Sequence, residues 1–171
     1  MNSTELQPED YNAYYETYIS KLNNVELVSS LHDDLTVFVD YVKKIPTDKW
    51  GYAYEVNKWS VAEVLLHIID TERVFQYRAL CFSRGDKSHF PGFDQDAYVI
   101  GSNAESRSKE SILNEFIAVR NATITLFSSF SEQDLIKKGV ASNSPMSVAA
   151  AGFVISGHLK HHFNILEERY F

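Results

Sequence analysis

The stretch Trp59-Ser60-Val61-Ala62-Glu63-Val64-Leu65-Leu66-His67-Ile68-Ile69-Asp70 decides how this chain folds. Ser60 and Glu63 have the spacing of a capping box, in which the hydroxyl and the carboxylate each satisfy a backbone N–H that a first helical turn leaves free. Trp59 before the cap and Val64 in the following turn form the matching hydrophobic staple. A helix therefore starts at Ser60. Val64, His67, Thr71, Val74 and Arg78 share one stripe of it before the run ends near Arg84-Gly85. His67 is thereby placed between apolar positions on an inward face.

Helical periodicity recurs on both sides of this segment. Leu27, Leu31, Leu35, Phe38, Val42 and Ile45 mark an earlier helix that Pro46 stops. A third helix runs from about Ser106 to Phe130, with Leu113, Phe116, Ile117, Ile124 and Phe127 available to a core. The fourth begins near Pro145 or Ser147, both favourable at a helix start, and carries Val148, Ile155, His158, His162, Ile165 and Arg169 at helical spacing. Residues 1–23 form an N-terminal extension with a short Tyr-rich helix around Tyr11 to Ile19. Alternating apolar segments bounded by hairpin turns are missing, so no sheet is expected. The fold class is all-α: one domain over residues 1–171, built as a four-helix bundle. Its connections are long, about fourteen residues between the first two helices and roughly twenty between the next two, so they cross the bundle or shape a site. Gly85 to Asp94, rich in turn formers and aromatics, reads as a crossover closing one end.

Bulk composition narrows the function. Apolar residues make up 44% and the net charge is −7 without acidic blocks, which fits a globular protein and argues against non-specific nucleic-acid binding. The single cysteine, Cys81, cannot close an intramolecular disulfide and reads as a core residue; a reducing cytoplasm is the expected compartment. The first ten residues lack the basic end and apolar run of a signal peptide, and no apolar stretch has the length of a membrane span.

The chemistry-bearing residues are histidines. His158 and His162, four apart in Gly157-His-Leu-Lys-His-His-Phe163, share a helix face one turn apart and can direct two imidazoles at a single ion. With His67 from a facing helix the coordination is tridentate, leaving a position for water or substrate, as in catalytic rather than structural sites. His161 offers a rival pair with His158 that periodicity alone does not separate; His162 is favoured because it continues the Ile155, His158, Ile165, Arg169 stripe. Leu159 stands where a zincin needs its glutamate, and no Glu-x-x-His pair of a di-iron bundle is present. Asp70, three residues past His67, is a candidate to orient a ligand or a bound water. Glu63, Glu72, Glu167 and Glu168 read as capping, salt-bridging or solvated groups. Arg73, Arg78 and Arg169 are candidates to meet an anionic substrate, with pairing to nearby acids as the plainer role.

On these residues the chain resembles the DinB-like (YfiT-like) superfamily, within its DinB_2 branch. Lys58 to Arg78 is similar to that family's second helix, Phe90-Pro-Gly-Phe-Asp94 to the loop after it, and Gly157 to Tyr170 to its last helix; the resemblance runs from about Leu27 to the C-terminus. It implies a bacterial, homodimeric bundle of unusual connectivity with a divalent metal ion, zinc or nickel, on three histidines that fall at His67, His158 and His162. It also implies a small-molecule substrate and, in relatives that are thiol S-transferases or isomerases, a low-molecular-weight thiol. The family name refers to DNA-damage induction and not to DNA chemistry. Two functions follow as expectations: a metal-dependent transferase or hydrolase acting on a small electrophile, or a non-catalytic stress-induced metal-binding bundle.

Overall fold

Each long helix begins where a side-chain oxygen meets a free backbone donor. The computed structural model describes residues 1–171. Its helices are α1 (Glu16–Ile19), α2 (Leu27–Lys44), α3 (Val61–Ser83), α4 (Gln95–Ser102), α5 (Lys109–Ser128), α6 (Glu132–Leu135) and α7 (Val148–Arg169). At the head of α3 the Glu63 carboxylate accepts from the Ser60 N–H at 2.7 Å and the Ser60 hydroxyl from the Glu63 N–H at 3.4 Å, completing the capping box. Glu26, Ser108 and Ser147 cap α2, α5 and α7 in the same way. Of the two starts considered for the last helix, Ser147 is the cap. The third long helix begins two residues later than expected, because Asn103 turns left-handed (φ 51°) and Ala104–Ser106 form a separate 3-10 turn.

In the bundle, α3 packs along α7 and α5, α2 packs along α5 and α7, and the short α1 lies on α7. The four-helix bundle stands as expected; the absence of a sheet does not. Strands β1 (His89–Phe90), β2 (Lys138–Ala141) and β3 (Ser144–Ser147) form a small sheet in the order β1-β2-β3. β1 runs parallel to β2 with His89 opposite Val140, and β2 pairs antiparallel with β3, with Lys138 opposite Ser147. These strands are too short to display an alternation. Their hairpin turns on Ser142 and Asn143, both left-handed (φ 52° and 61°), a conformation usually signalled by Asn-Gly. A Cβ at Gly139 would stand 1.9 Å from the Phe82 ring, so β2 lies flush against the end of α3. The expected crossover after α3 is thus partly ordered, by β1 and by α4, whose start is capped by Asp94.

The apolar core is split in two. One cluster gathers Leu31, Phe75, Phe127, Phe153 and Ile155; the other gathers Phe38, Ile69, Phe116, Leu159 and Phe163. Between them each long helix places polar residues at the same level: Asp34 on α2, Thr71 and Glu72 on α3, Arg120 and Thr123 on α5, Ser156 and His158 on α7. A polar layer through a bundle costs stability unless its members satisfy one another. Most of it does so, through the ion pairs of Arg120 with Glu72 and Asp34 and the contact of Ser30 with Ser156 at 3.2 Å. No helix is long and apolar enough to cross a membrane.

Candidate metal centre

The unsatisfied part of that layer is where the histidines meet. His67 on α3 and His158 on α7 approach Nε2 to Nε2 at 3.0 Å, although they are 91 positions apart in sequence. His162, one turn further along α7, brings its Nε2 to the same atom of His158 at 3.0 Å. His67 and His158 are buried and His162 is half-buried. All three sequence candidates therefore converge through their Nε2 atoms, and no other group of three or more His, Cys, Asp or Glu comes together in this way.

A single ring nitrogen carries one lone pair or one N–H, so His158 Nε2 cannot make proper hydrogen bonds to two imidazoles at once. Burial holds His67 down at about 4, and burial followed by repulsion from the neighbouring rings holds His158 and His162 well below the usual imidazole range. At neutral pH the centre consists of three uncharged imidazoles with lone pairs turned inward, the donor set that suits a divalent ion. Two nitrogens sharing a tetrahedral ion at about 2.0–2.1 Å lie roughly 3.3 Å apart. Both His158 separations, 3.0 Å, are close to that value, and all three donor atoms lie within 4.8 Å of one another.

Aromatic rings enclose the centre. Trp59 lies against His67, with ring centroids 4.7 Å apart, so the staple of α3 is also one wall of the site. On the other side the Tyr18 ring meets His158 edge-on at 5.2 Å. This contact needs Gly157, where a Cβ would lie 2.4 Å from the Tyr18 carbonyl oxygen; only glycine lets the backbone of α1 touch α7 here. Beside His158 a cavity of about 200 Å³ is lined by Tyr14, Tyr15, Tyr18, Thr71, Phe75 and Arg78, among others. A larger hollow of about 500 Å³ between α2 and the C-terminus contains no histidine, and we place the chemistry at the smaller one.

His161 stays outside the cluster, its ring set against Tyr18 at 5.2 Å. Asp70 does not orient a histidine: its carboxylate faces Arg73 at 3.6 Å. Glu63 caps α3 and Glu72 pairs with Arg120, as their capping and salt-bridging roles anticipated. Arg73 pairs with Glu115, whereas Arg169 donates to the Tyr54 hydroxyl and Arg78 has no acid partner. Thr71 and Arg78 lie on the His67 stripe, so their orientation was legible, but the cavity they line with His158 was not. Tyr14, Tyr15 and Tyr18 reach the site from outside the bundle, and Gly157 beside His158 was the one trace of that approach.

The arrangement has counterparts among known structures. It is similar to YfiT from Bacillus subtilis, described as a probable metal-dependent hydrolase with an unusual four-helix bundle topology (14% identity, TM-score 0.73, covering 96% of this chain and 91% of that one). It is also similar to a mycothiol-dependent maleylpyruvate isomerase (7% identity, TM-score 0.66), where 81% of this chain spans 60% of the other. At these identities the likeness concerns the fold. A search of curated proteins found no match. The sequence model of the DinB superfamily matches residues 30–166, a span that contains all three histidines and most of the bundle, and the chain belongs to that superfamily.

Proposed function

We propose that the protein is a divalent-metal-dependent enzyme that acts on a small electrophilic molecule, as a thiol S-transferase or a hydrolase. The observation that carries this reading is the convergence of three uncharged imidazoles beside a small cavity. His67, His158 and His162 would hold the ion; imidazole suits zinc, nickel, copper and iron, and of these the family resemblance implies zinc or nickel. A divalent ion there supplies Lewis acidity, which lowers the pKa of a water or of a low-molecular-weight thiol. The chain's own residues do the rest. Trp59 packs against His67 and Tyr18 against His158, shielding those two buried imidazoles, and Thr71 lines the cavity one turn along α3 from His67. The structural neighbours, one described as a hydrolase and one as thiol-dependent, support both reaction types as candidates.

A second reading, a non-catalytic metal-binding bundle, is favoured by one feature. The carboxylates that follow His67 on α3 are not free to act as general base, since Asp70 and Glu72 are both engaged with arginines. The two readings separate on turnover. Purified protein should contain about one divalent ion per chain, and His162→Ala should remove both metal and activity against electrophiles offered with cellular thiols or with water. Full metal loading of a His67→Ala, His162→Ala double variant would refute the site. Stoichiometric metal without turnover on any thiol, ester or amide tested would favour the non-catalytic bundle.

A further inference from the structure

The cavity beside His158 contains two polar groups that the protein itself leaves incomplete. Arg78 is 2% exposed, yet no carboxylate lies within 4.0 Å of its guanidinium, and all ion pairs in the molecule belong to other residues. Its Nη2 donates to the Pro91 carbonyl at 2.9 Å and to the Ser142 hydroxyl at 3.3 Å. The group lies over the Phe75 ring at 5.1 Å, folded back along α3 toward the histidines, with the Tyr15 hydroxyl beside it. The Pro91 carbonyl and the Ser142 and Tyr15 hydroxyls are neutral, so none of these partners carries a neutralising charge. A buried guanidinium stays protonated, and leaving it without a counter-charge is expensive.

The second group is Thr71. It is 3% exposed, and its hydroxyl has no hydrogen-bond partner at all, one of only two buried side-chain oxygens in the protein so placed. Thr71 and Arg78 follow His67 on one face of α3, at four and eleven residues, and both line the cavity that His158 also lines. A ligand in that cavity would meet a fixed cation at one end and the side of Thr71, whose unpartnered hydroxyl is itself buried, nearer the imidazoles.

We infer that this cavity is an anion-recognising substrate site, in which Arg78 pairs with a single carboxylate of a small molecule. One cation with no second lysine or arginine in the lining matches one negative charge better than the two of a phosphate. The volume, about 200 Å³, restricts the occupant to a compact molecule. The inference deepens the proposed function by giving its substrate a chemical class. It rests on that reading only for what happens at the histidines, because the carboxylate is held by the chain alone.

The test uses propanoate and its uncharged counterpart propanamide, titrated by NMR into the full chain both zinc-loaded and metal-stripped. Propanoate should bind both forms about tenfold or more tighter than propanamide. Arg78→Gln should abolish that preference, Arg78→Lys should retain part of it, and Thr71→Val should leave it in place. Equal affinity for acid and amide would overturn the proposal, as would a preference that survives Arg78→Gln, or one seen only with zinc, which would mean the ion takes the carboxylate. Tighter binding of inorganic phosphate than of propanoate would overturn the carboxylate assignment. Should Arg78→Gln fail to fold, the resonances that move in the wild-type protein decide: shifts centred on Arg78 and Tyr15 support the site, and shifts elsewhere refute it. Failure of zinc to bind at all would count against the metal reading while leaving the acid-over-amide preference to be measured in the stripped protein.

Discussion

Two buried arginines on neighbouring helices meet opposite surroundings. Arg120 on α5 is completed by the protein: Nε and Nη2 each donate to Glu72 at 2.8 Å, and Nη1 donates to the Leu31 carbonyl at 3.1 Å and to Asp34 at 3.3 Å. Arg78 on α3 has only neutral partners, the Pro91 carbonyl and the Ser142 and Tyr15 hydroxyls, and no acid. The first arrangement is a closed network that fixes how α2, α3 and α5 meet. The second, together with three inward-facing imidazoles and the unpartnered Thr71 hydroxyl, is a set of groups that the polypeptide does not complete. Buried polarity that is satisfied specifies the fold, and buried polarity that is left open marks the site.

The contrast can be broken from either side. The largest effect should come from opening the closed network: Glu72→Ala strands the Arg120 charge and should cost about 3–5 kcal/mol. For a chain of this length that is a fall of about 10 °C or more in Tm, readable by calorimetry. A change under ~1 kcal/mol would mean that Asp34 alone satisfies the arginine. At the open site the order reverses. His158→Ala should lower metal affinity by more than about a hundredfold while the melting of the metal-free protein changes little, because the lost imidazole had no proper partner.

Gly157 links the two behaviours. Gly157→Ala drives a methyl into the Tyr18 carbonyl, so α1 must lift away from α7 at a cost of about 1–3 kcal/mol. Amide exchange should accelerate in the segment around Tyr14 to Ser20 and not in α2 or α5. Acid offers a milder probe of the histidines. The folded-state pKa of His67 is lowered from 6.5 to about 4 by burial, so the unfolded chain takes up that proton first. Metal-free protein should therefore lose stability as pH falls from about 6.5 toward 4, and the His67→Gln variant should lose less over that window in urea melts. The smallest effect is expected at Thr71. Thr71→Val removes a buried hydroxyl that bonds nothing and should raise stability by up to about 1 kcal/mol, whereas a loss of that size would expose a hidden partner.

Much of this was legible from residues. The Ser60 and Glu63 box and the Trp59 staple placed α3 to within a residue, since capping is local chemistry that leaves its mark in adjacent positions. Helical phase favoured His162 over His161 without separating them, and it is the packing of α3 on α7 that brings His162 and not His161 to His67 and His158. The sheet escaped, its strands being two to four residues long and its hairpin turning on Ser142-Asn143. The Arg120 and Glu72 pair escaped for a different reason: 48 positions separate them, and neither side chain signals in sequence that it is buried.

By itself, then, the sequence determined the four helices, their inward faces and the three histidines, because caps and periodicity are properties of neighbouring residues. Only the tertiary structure decided which polar groups on those faces complete one another. Asp70 and Arg78 are both charged residues on α3 near His67; one is drawn off to Arg73 and the other is left facing a cavity. That outcome depends on what the other helices and the N-terminal tyrosines bring within about 4 Å, the range over which an ion pair or hydrogen bond between buried groups is made or lost.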